Sequence, residues 1–253
     1  MRKIVFFTAL MSLYLLPTPS WARKEVIRLV TFEAPPFMDP KLPEQGAGVF
    51  ALKRVFLKAG YDLKITFAPL KRAKVLSFAG DEDMGYFPVS PYDLDPKHLS
   101  SKVVYESPWV IAQRKEKPIV WKKPIDLGKY VGGANLQYTN PTAIKNLIQA
   151  KKLTVQLAPD DRSNLIKLGN KRIDYIFIDA GMFSYLTHFD PQMKAFANNL
   201  EINPHPVEII KYTVAFRKST KGQRLLDDFN RVLSPAEFAM FIAEYLKKYE
   251  QKQ

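Results

Sequence analysis

The sequence predicts an α/β protein made of two similar units joined by two extended segments. Stretches that alternate apolar and polar residues, as strands do, take turns with stretches whose apolar residues recur at helical spacing. The pattern breaks at Arg114–Pro124 (RKEKPIVWKKP), a charged connector punctuated by proline, and a second alternating set follows it. Extended segments at 110–117 and 209–217 bracket that second set, so the chain is expected to cross twice between the units. Two crossing strands form a hinge, and a cleft between lobes is where a small ligand sits. The boundaries that follow are 23–112 and 213–253 for the first lobe, and 113–212 for the second.

The elements run as follows. From Glu25 to about Ala34 the chain reads as a strand that turns at Pro35-Pro36. A helix is expected over 47–59, with Val49, Leu52, Val55, Phe56 and Ala59 at helical spacing and Gly60 as the stop. Gly46-Ala47-Gly48 in front of it has the wrong length for a phosphate loop and reads as a plain turn. A strand over 62–68, a helix over 70–78 and a strand over 84–89 continue the alternation, which calls for parallel strands with crossover helices. A proline-rich loop then leads to a strand over 103–113.

Beyond the connector, strands are expected at 130–134, 153–157 and 175–178, the last buried on both faces. Helices are expected at 141–150, 162–168 and 181–186. The last helix opens at Ser234-Pro235-Ala236-Glu237: Ser234 suits an N-cap, Pro235 the first turn, and Glu237 the third position of a capping box. Phe238, Phe241, Ile242 and Tyr245 then form one apolar stripe, read as core packing.

The N-terminus bears on compartment. Arg2 and Lys3 precede the 13-residue apolar run Ile4–Leu16, too short for a bilayer span of about 20 residues. Pro17, Pro19, Ser20 and Ala22 then read as a signal-peptidase site, so residues 1–22 are expected to be a cleaved signal peptide and the protein periplasmic. Trp21-Ala22 is not followed by Cys, which excludes a lipoprotein. The chain has no cysteine, so an exported form relies on an ordinary core rather than on disulfides. Losing Arg2 and Lys3 lowers the formal charge from +13 to +11, but the basic residues are spread along the chain, as solvated faces are. Nucleic acid is not an expected partner.

Catalytic signatures are missing. His98, His188 and His205 lie far apart with no metal-ligand spacing, and no phosphate loop, dinucleotide fingerprint or G-x-S-x-G occurs. The pair Asp160-Asp161 at the mouth of a helix reads as a cap rather than an acid/base couple. No enzyme activity, cofactor or metal is expected.

Eight segments in order carry a resemblance: "EAPPF", "GAGVFALKRVFLKAG", "FAPLKRA", "DMGYFPVS", "YESPW", "DLGKYVGG", "NLIKLGNKRIDYIFID" and "TVAFRKS". From about Val26 to Leu233 the chain resembles the bacterial extracellular solute-binding proteins of family 3, the polar amino acid type. The resemblance implies the two-lobed periplasmic binding protein type II fold, with mixed sheets, helices on both faces and a two-strand hinge. It also implies ligand contacts on loops at strand ends. Phe37 matches the aromatic end of the first loop. Arg72 matches the arginine of a P-W-x-R loop, with Leu70 in place of the tryptophan. Ser90 matches a serine that helps hold a ligand carboxylate, and Asp179 an acid that pairs with a ligand ammonium. Tyr86, Phe87, Trp109 and Tyr138 are further candidate cleft aromatics.

Two of these positions have plain alternatives: Arg72 could pair on the surface with Asp81 or Glu82, and Asp179 could cap the helix that follows it. A cation near a helix N-terminus is unfavourable unless something anionic meets it, which is why Arg72 stands out. Departures from the family pattern matter as well. The arginine that clamps an α-carboxylate shortly after the Ser90 position is replaced by Asp95 or Leu99. Leu136-Gln137-Tyr138-Thr139 stands for the usual G-T-T, and Ala51 or Leu52 for an acid in the first helix. These departures put a free α-amino acid in question as ligand. The expected function is therefore a monomeric solute-binding protein that closes on a small polar, amino-acid-like or related solute for an ABC permease. A sensing module for a membrane signalling partner is the alternative, and an enzyme on the same fold a third reading.

Overall fold

The computed structural model describes residues 24–79 and 83–249. The expected signal segment, Asp81 and Glu82 lie outside them. Strand β1 (Glu25–Thr31) pairs in parallel with β2 (Tyr61–Phe67) and β3 (Asp83–Val89), the crossovers being helices α1 (Ala47–Lys58) and α2 (Leu70–Ala79). The second set is β6 (Val131–Asn135), α3 (Thr142–Gln149), β7 (Thr154–Ala158), α4 (Asp161–Gly169), β8 (Tyr175–Asp179) and α5 (Ala180–Phe189). There β6 lies parallel to both β7 and β8. Tyr175, Ile176, Phe177 and Ile178 are fully buried, as a strand covered on both faces requires.

Two long strands join the sheets. In β10 (Glu208–Arg217), residues 208–212 pair antiparallel with β5 (Tyr105–Arg114) in the second sheet. From Thr213 onward β10 pairs with β3 and with the short β4 (His98–Ser100) in the first. The strand changes sheet between Tyr212 and Thr213. The outgoing chain changes sheet at Ser101–Val104, where the Ser101 and Val104 amides donate to the Val214 and Tyr212 carbonyls at 2.9 and 2.8 Å. That corrects the expected crossing at 110–117 and the boundary after residue 112. All of β5 belongs to the second sheet, where it also pairs with β8 and with β9 (Leu200–Ile202). Helices α6 (Thr220–Val232) and α7 (Pro235–Tyr249) return to the first lobe. There Tyr245 packs on Phe50 of α1 at 5.7 Å between ring centroids. Ser234 caps α7 by accepting from the Glu237 amide at 3.3 Å, while the Glu237 carboxylate turns to Lys58. No helix among the described residues is long and apolar enough to cross a membrane.

Candidate ligand-binding site

A cavity of about 70 Å³ lies beside the crossing strands, walled by loops from both lobes. Its carboxylates and most of its hydroxyl groups sit at the C-terminal ends of parallel strands, where open α/β sheets place their ligands, while Tyr105, Trp109 and Tyr212 come from the crossing strands. Ser90, Tyr92 and Asp93 follow β3; Tyr138 and Thr139 follow β6; Asp161 follows β7; Asp179 ends β8.

The first loop is held by the start of α1. The Ala47 amide donates to the Pro36 carbonyl at 2.9 Å and the Gly48 amide to the Phe37 carbonyl at 2.8 Å. Gly46 has φ +99°, and a Cβ there would meet the Phe37 carbonyl oxygen at 2.7 Å, so only glycine lets the backbones approach. The Gly46-Ala47-Gly48 turn is thus the brace that aims Phe37 into the cavity.

Aromatic rings form two groups. Phe37 stacks on Tyr105 at 5.8 Å and Tyr105 on Tyr212 at 4.8 Å. In the second group, Tyr138 packs against Phe32 at 6.0 Å and against Trp109 at 6.1 Å. The Trp109 indole N–H is buried without a hydrogen-bond partner.

The charges are mostly negative. Asp93 is nearly enclosed: Lys74 donates to it at 2.7 Å, Thr139 at 2.8 Å and Ser90 at 3.0 Å. Asp179 accepts from the Gly181 and Met182 amides at 2.8 and 3.1 Å, capping α5. Burial raises its carboxyl above the usual range, partly offset by the Ser107 hydroxyl and those two amides. Asp160 is the N-cap of α4, accepting from the Ser163 amide at 2.7 Å. That leaves Asp161, 4 % exposed, whose Oδ1 is buried with no hydrogen-bond partner. Burial pushes the Asp161 carboxyl up to about 7; Asp160 and Asp179 add to the rise, and the Asn135 and Tyr138 side chains oppose it. Tyr105, Tyr138 and Tyr212 are held well above their ordinary range, first by burial and then by neighbouring phenols and carboxylates. They face the cavity as neutral hydroxyls.

The structure brings together Phe37, Ser90, Trp109, Tyr138 and Asp179 from the expected set. Ser90 donates to Asp93, so its hydroxyl is already committed to a carboxylate of the protein. Three expectations are corrected. Arg72 is exposed and does not line the cavity; Leu70 of the same helix does, and Lys74 reaches its edge. Four residues along a helix return to nearly the same face, whereas two residues swing about 200° away. Tyr86 is fully buried behind the site, donating to the Asp93 carbonyl at 2.8 Å and meeting His98 edge to face. Phe87, on the other face of β3, is fully buried against Tyr105 and Phe238. Sequence reasoning missed Lys74, Asp93 and Asp161. The doubled acid was the available signal for Asp161, because a cap needs only one carboxylate.

No family model matches the chain, and no match is found among curated proteins. Solved structures match over most of its length. The periplasmic VFT2 domain of Bordetella pertussis BvgS is 16% identical, with a TM-score of 0.66 over 87% of this chain and 93% of that one. The GluR0 ligand-binding core from Nostoc punctiforme, in complex with L-glutamate, is 14% identical, with a TM-score of 0.66 over 88% and 98%. The arginine-bound, truncated ArgBP from T. maritima is 19% identical, with a TM-score of 0.62 over 82% and 94%. At these identities the likeness is one of fold: two lobes of the periplasmic binding protein type II kind.

Proposed function

Given the two-lobed type II fold, we propose that this chain is a periplasmic solute-binding protein, exported by removal of residues 1–22. It closes as a monomer on a small polar solute and hands it to an ABC permease. One observation carries the reading: a cavity at the strand ends is walled by both lobes, next to the strands that cross between them. A solute touching both walls stabilises the closed form over the open one, which is all that a population shift requires. The neighbours with bound glutamate and bound arginine support an amino-acid-like size for the ligand.

The test is a set of thermal melts on the refolded mature protein, across amines, amino acids, organic acids and sugars, with scattering to follow closure. A ligand at a hundred times its Kd adds about 2.7 kcal/mol. That raises Tm by roughly 5–10 °C for a chain of this size. Deleting the gene should abolish uptake of that solute. Unchanged uptake rejects the transport role and leaves a membrane sensor as the user of the closed form.

Asp161 favours a second reading, an enzyme with a poised acid in the cleft. Recovering the bound solute chemically unchanged after prolonged incubation rejects it.

A further inference from the structure

The cavity has a place for positive charge and no free cation for a carboxylate; the unpaired donor on its wall, the Trp109 indole N–H, is neutral. Asp161 lines the cavity, and its Oδ1 is buried with no hydrogen-bond partner of good geometry, although the nearby Asn135 and Tyr138 side chains favour its ionised form. A buried acceptor left unpaired is costly, so the site is complete only when something donates to it. Asp179 adds a second carboxylate to the lining, and the rings of Phe32, Trp109 and Tyr138 line the same cavity, where an aromatic ring can meet a cation.

The cations that would clamp a carboxylate are spent or absent, which leaves it a single neutral N–H from Trp109 and phenol hydroxyls. Lys74 is bound to Asp93, whose oxygens also take the Ser90 and Thr139 hydroxyls. Arg72 is exposed and does not line the cavity. The charges that perturb Tyr138 and Tyr212 are carboxylates and a fellow phenol. A metal ion does not fit either, because no group of three His, Cys, Asp or Glu among the described residues could hold one.

Resting on the solute-binding reading above, we propose that the solute is an organic cation without a carboxylate. Its ammonium or guanidinium donates to Asp161 Oδ1, and its carbon skeleton packs against the aromatic rings. The cavity, about 70 Å³, suits the head of a small amine.

Matched pairs isolate the missing carboxylate: agmatine against arginine, cadaverine against lysine, putrescine against ornithine. Calorimetry on the refolded mature protein should find at least one amine binding tenfold or more tighter than its amino acid. Asp161→Asn, with its circular dichroism unchanged, should weaken that amine by roughly thirtyfold or more, as losing a buried charge partner does. An amino acid that binds as tightly as its amine overturns the inference, and so does an Asp161→Asn variant with unaltered affinity. If acids or sugars bind and amines do not, the inference fails while the solute-binding reading stands. If no probe of any class binds and scattering shows no closure, both fail together.

Discussion

The Thr139 hydroxyl donates to Asp93 Oδ1 at 2.8 Å, and this bond ties the loop after β6 to the loop after β3, one lobe to the other. Tyr92 makes a second tie, donating to Glu208 at 2.5 Å, and the Phe32–Tyr138 contact a third. These contacts exist only while the lobes are together, so they add to whatever closure energy the solute supplies.

Thr139→Val keeps the shape and removes the donor. A hydrogen bond to a charged group contributes about 1.5–3 kcal/mol, so ligand affinity should fall by roughly ten- to a hundredfold. Scattering should show a more open ligand-free form. Unchanged affinity and radius would mean that the bond is incidental to closure.

Gly181 makes the opposite kind of contact. It lies at the start of α5 in the second lobe, and a Cβ there would sit 2.8 Å from the Phe37 ring of the first. Gly181→Ala should therefore prop the cleft open, weakening ligand binding while leaving each lobe folded. Adding Phe37→Leu, which shortens the ring side, should restore closure in scattering, even though the ring's own contact with the solute is lost. If the double variant stays as open as the single one, the wedge explanation is wrong and α5 itself has been disturbed.

Much of the fold was legible because each long element had a complete local pattern. Helix α1 had its stripe and stop, and α7 its cap. The edge strands β4 and β9 were invisible: three residues are too few for any periodicity. The outgoing crossing was misplaced for a different reason. The apolar pattern runs through 103–113 without a break, and only pairing partners reveal that the sheet changes near Val104. Tyr86 and Phe87 show the same limit, since adjacent residues of a strand face opposite ways and neither way here leads to the cavity. Asp93 was overlooked because no local motif announces a carboxylate whose partners are 19 and 46 residues away.

Helix α2 offers a clean comparison of two cations. Arg72 is exposed, and surface substitutions usually change stability by no more than about 0.5 kcal/mol. Arg72→Ala should stay within that margin in urea titrations and leave ligand affinity within about twofold. Lys74→Met takes the cation from Asp93, whose side chain is 9% exposed, and should cost about 1–3 kcal/mol. Equal effects at the two positions would contradict the placement of Lys74 at the cleft edge.

The pH dependence of the ligand-free protein should report Asp161 directly. Its carboxyl titrates near 7 in the fold and near 4 in the unfolded chain. Between those values the folded state holds the extra proton, so this group's contribution to stability declines as pH rises through the window. His98 acts in the other direction: burial holds its ring neutral, and stability is lost as pH falls below about 6.5. The difference between the native protein and Asp161→Asn removes His98 and every other shared group. Relative to the variant, the native protein should lose melting temperature steadily from pH 5 to pH 7.5. An organic cation on Asp161 favours the ionised carboxylate, so binding should release a proton near pH 6, visible as a buffer-dependent enthalpy. A difference curve that is flat between pH 5 and 7.5 would place Asp161 in contact with solvent and remove the reason for a cation there.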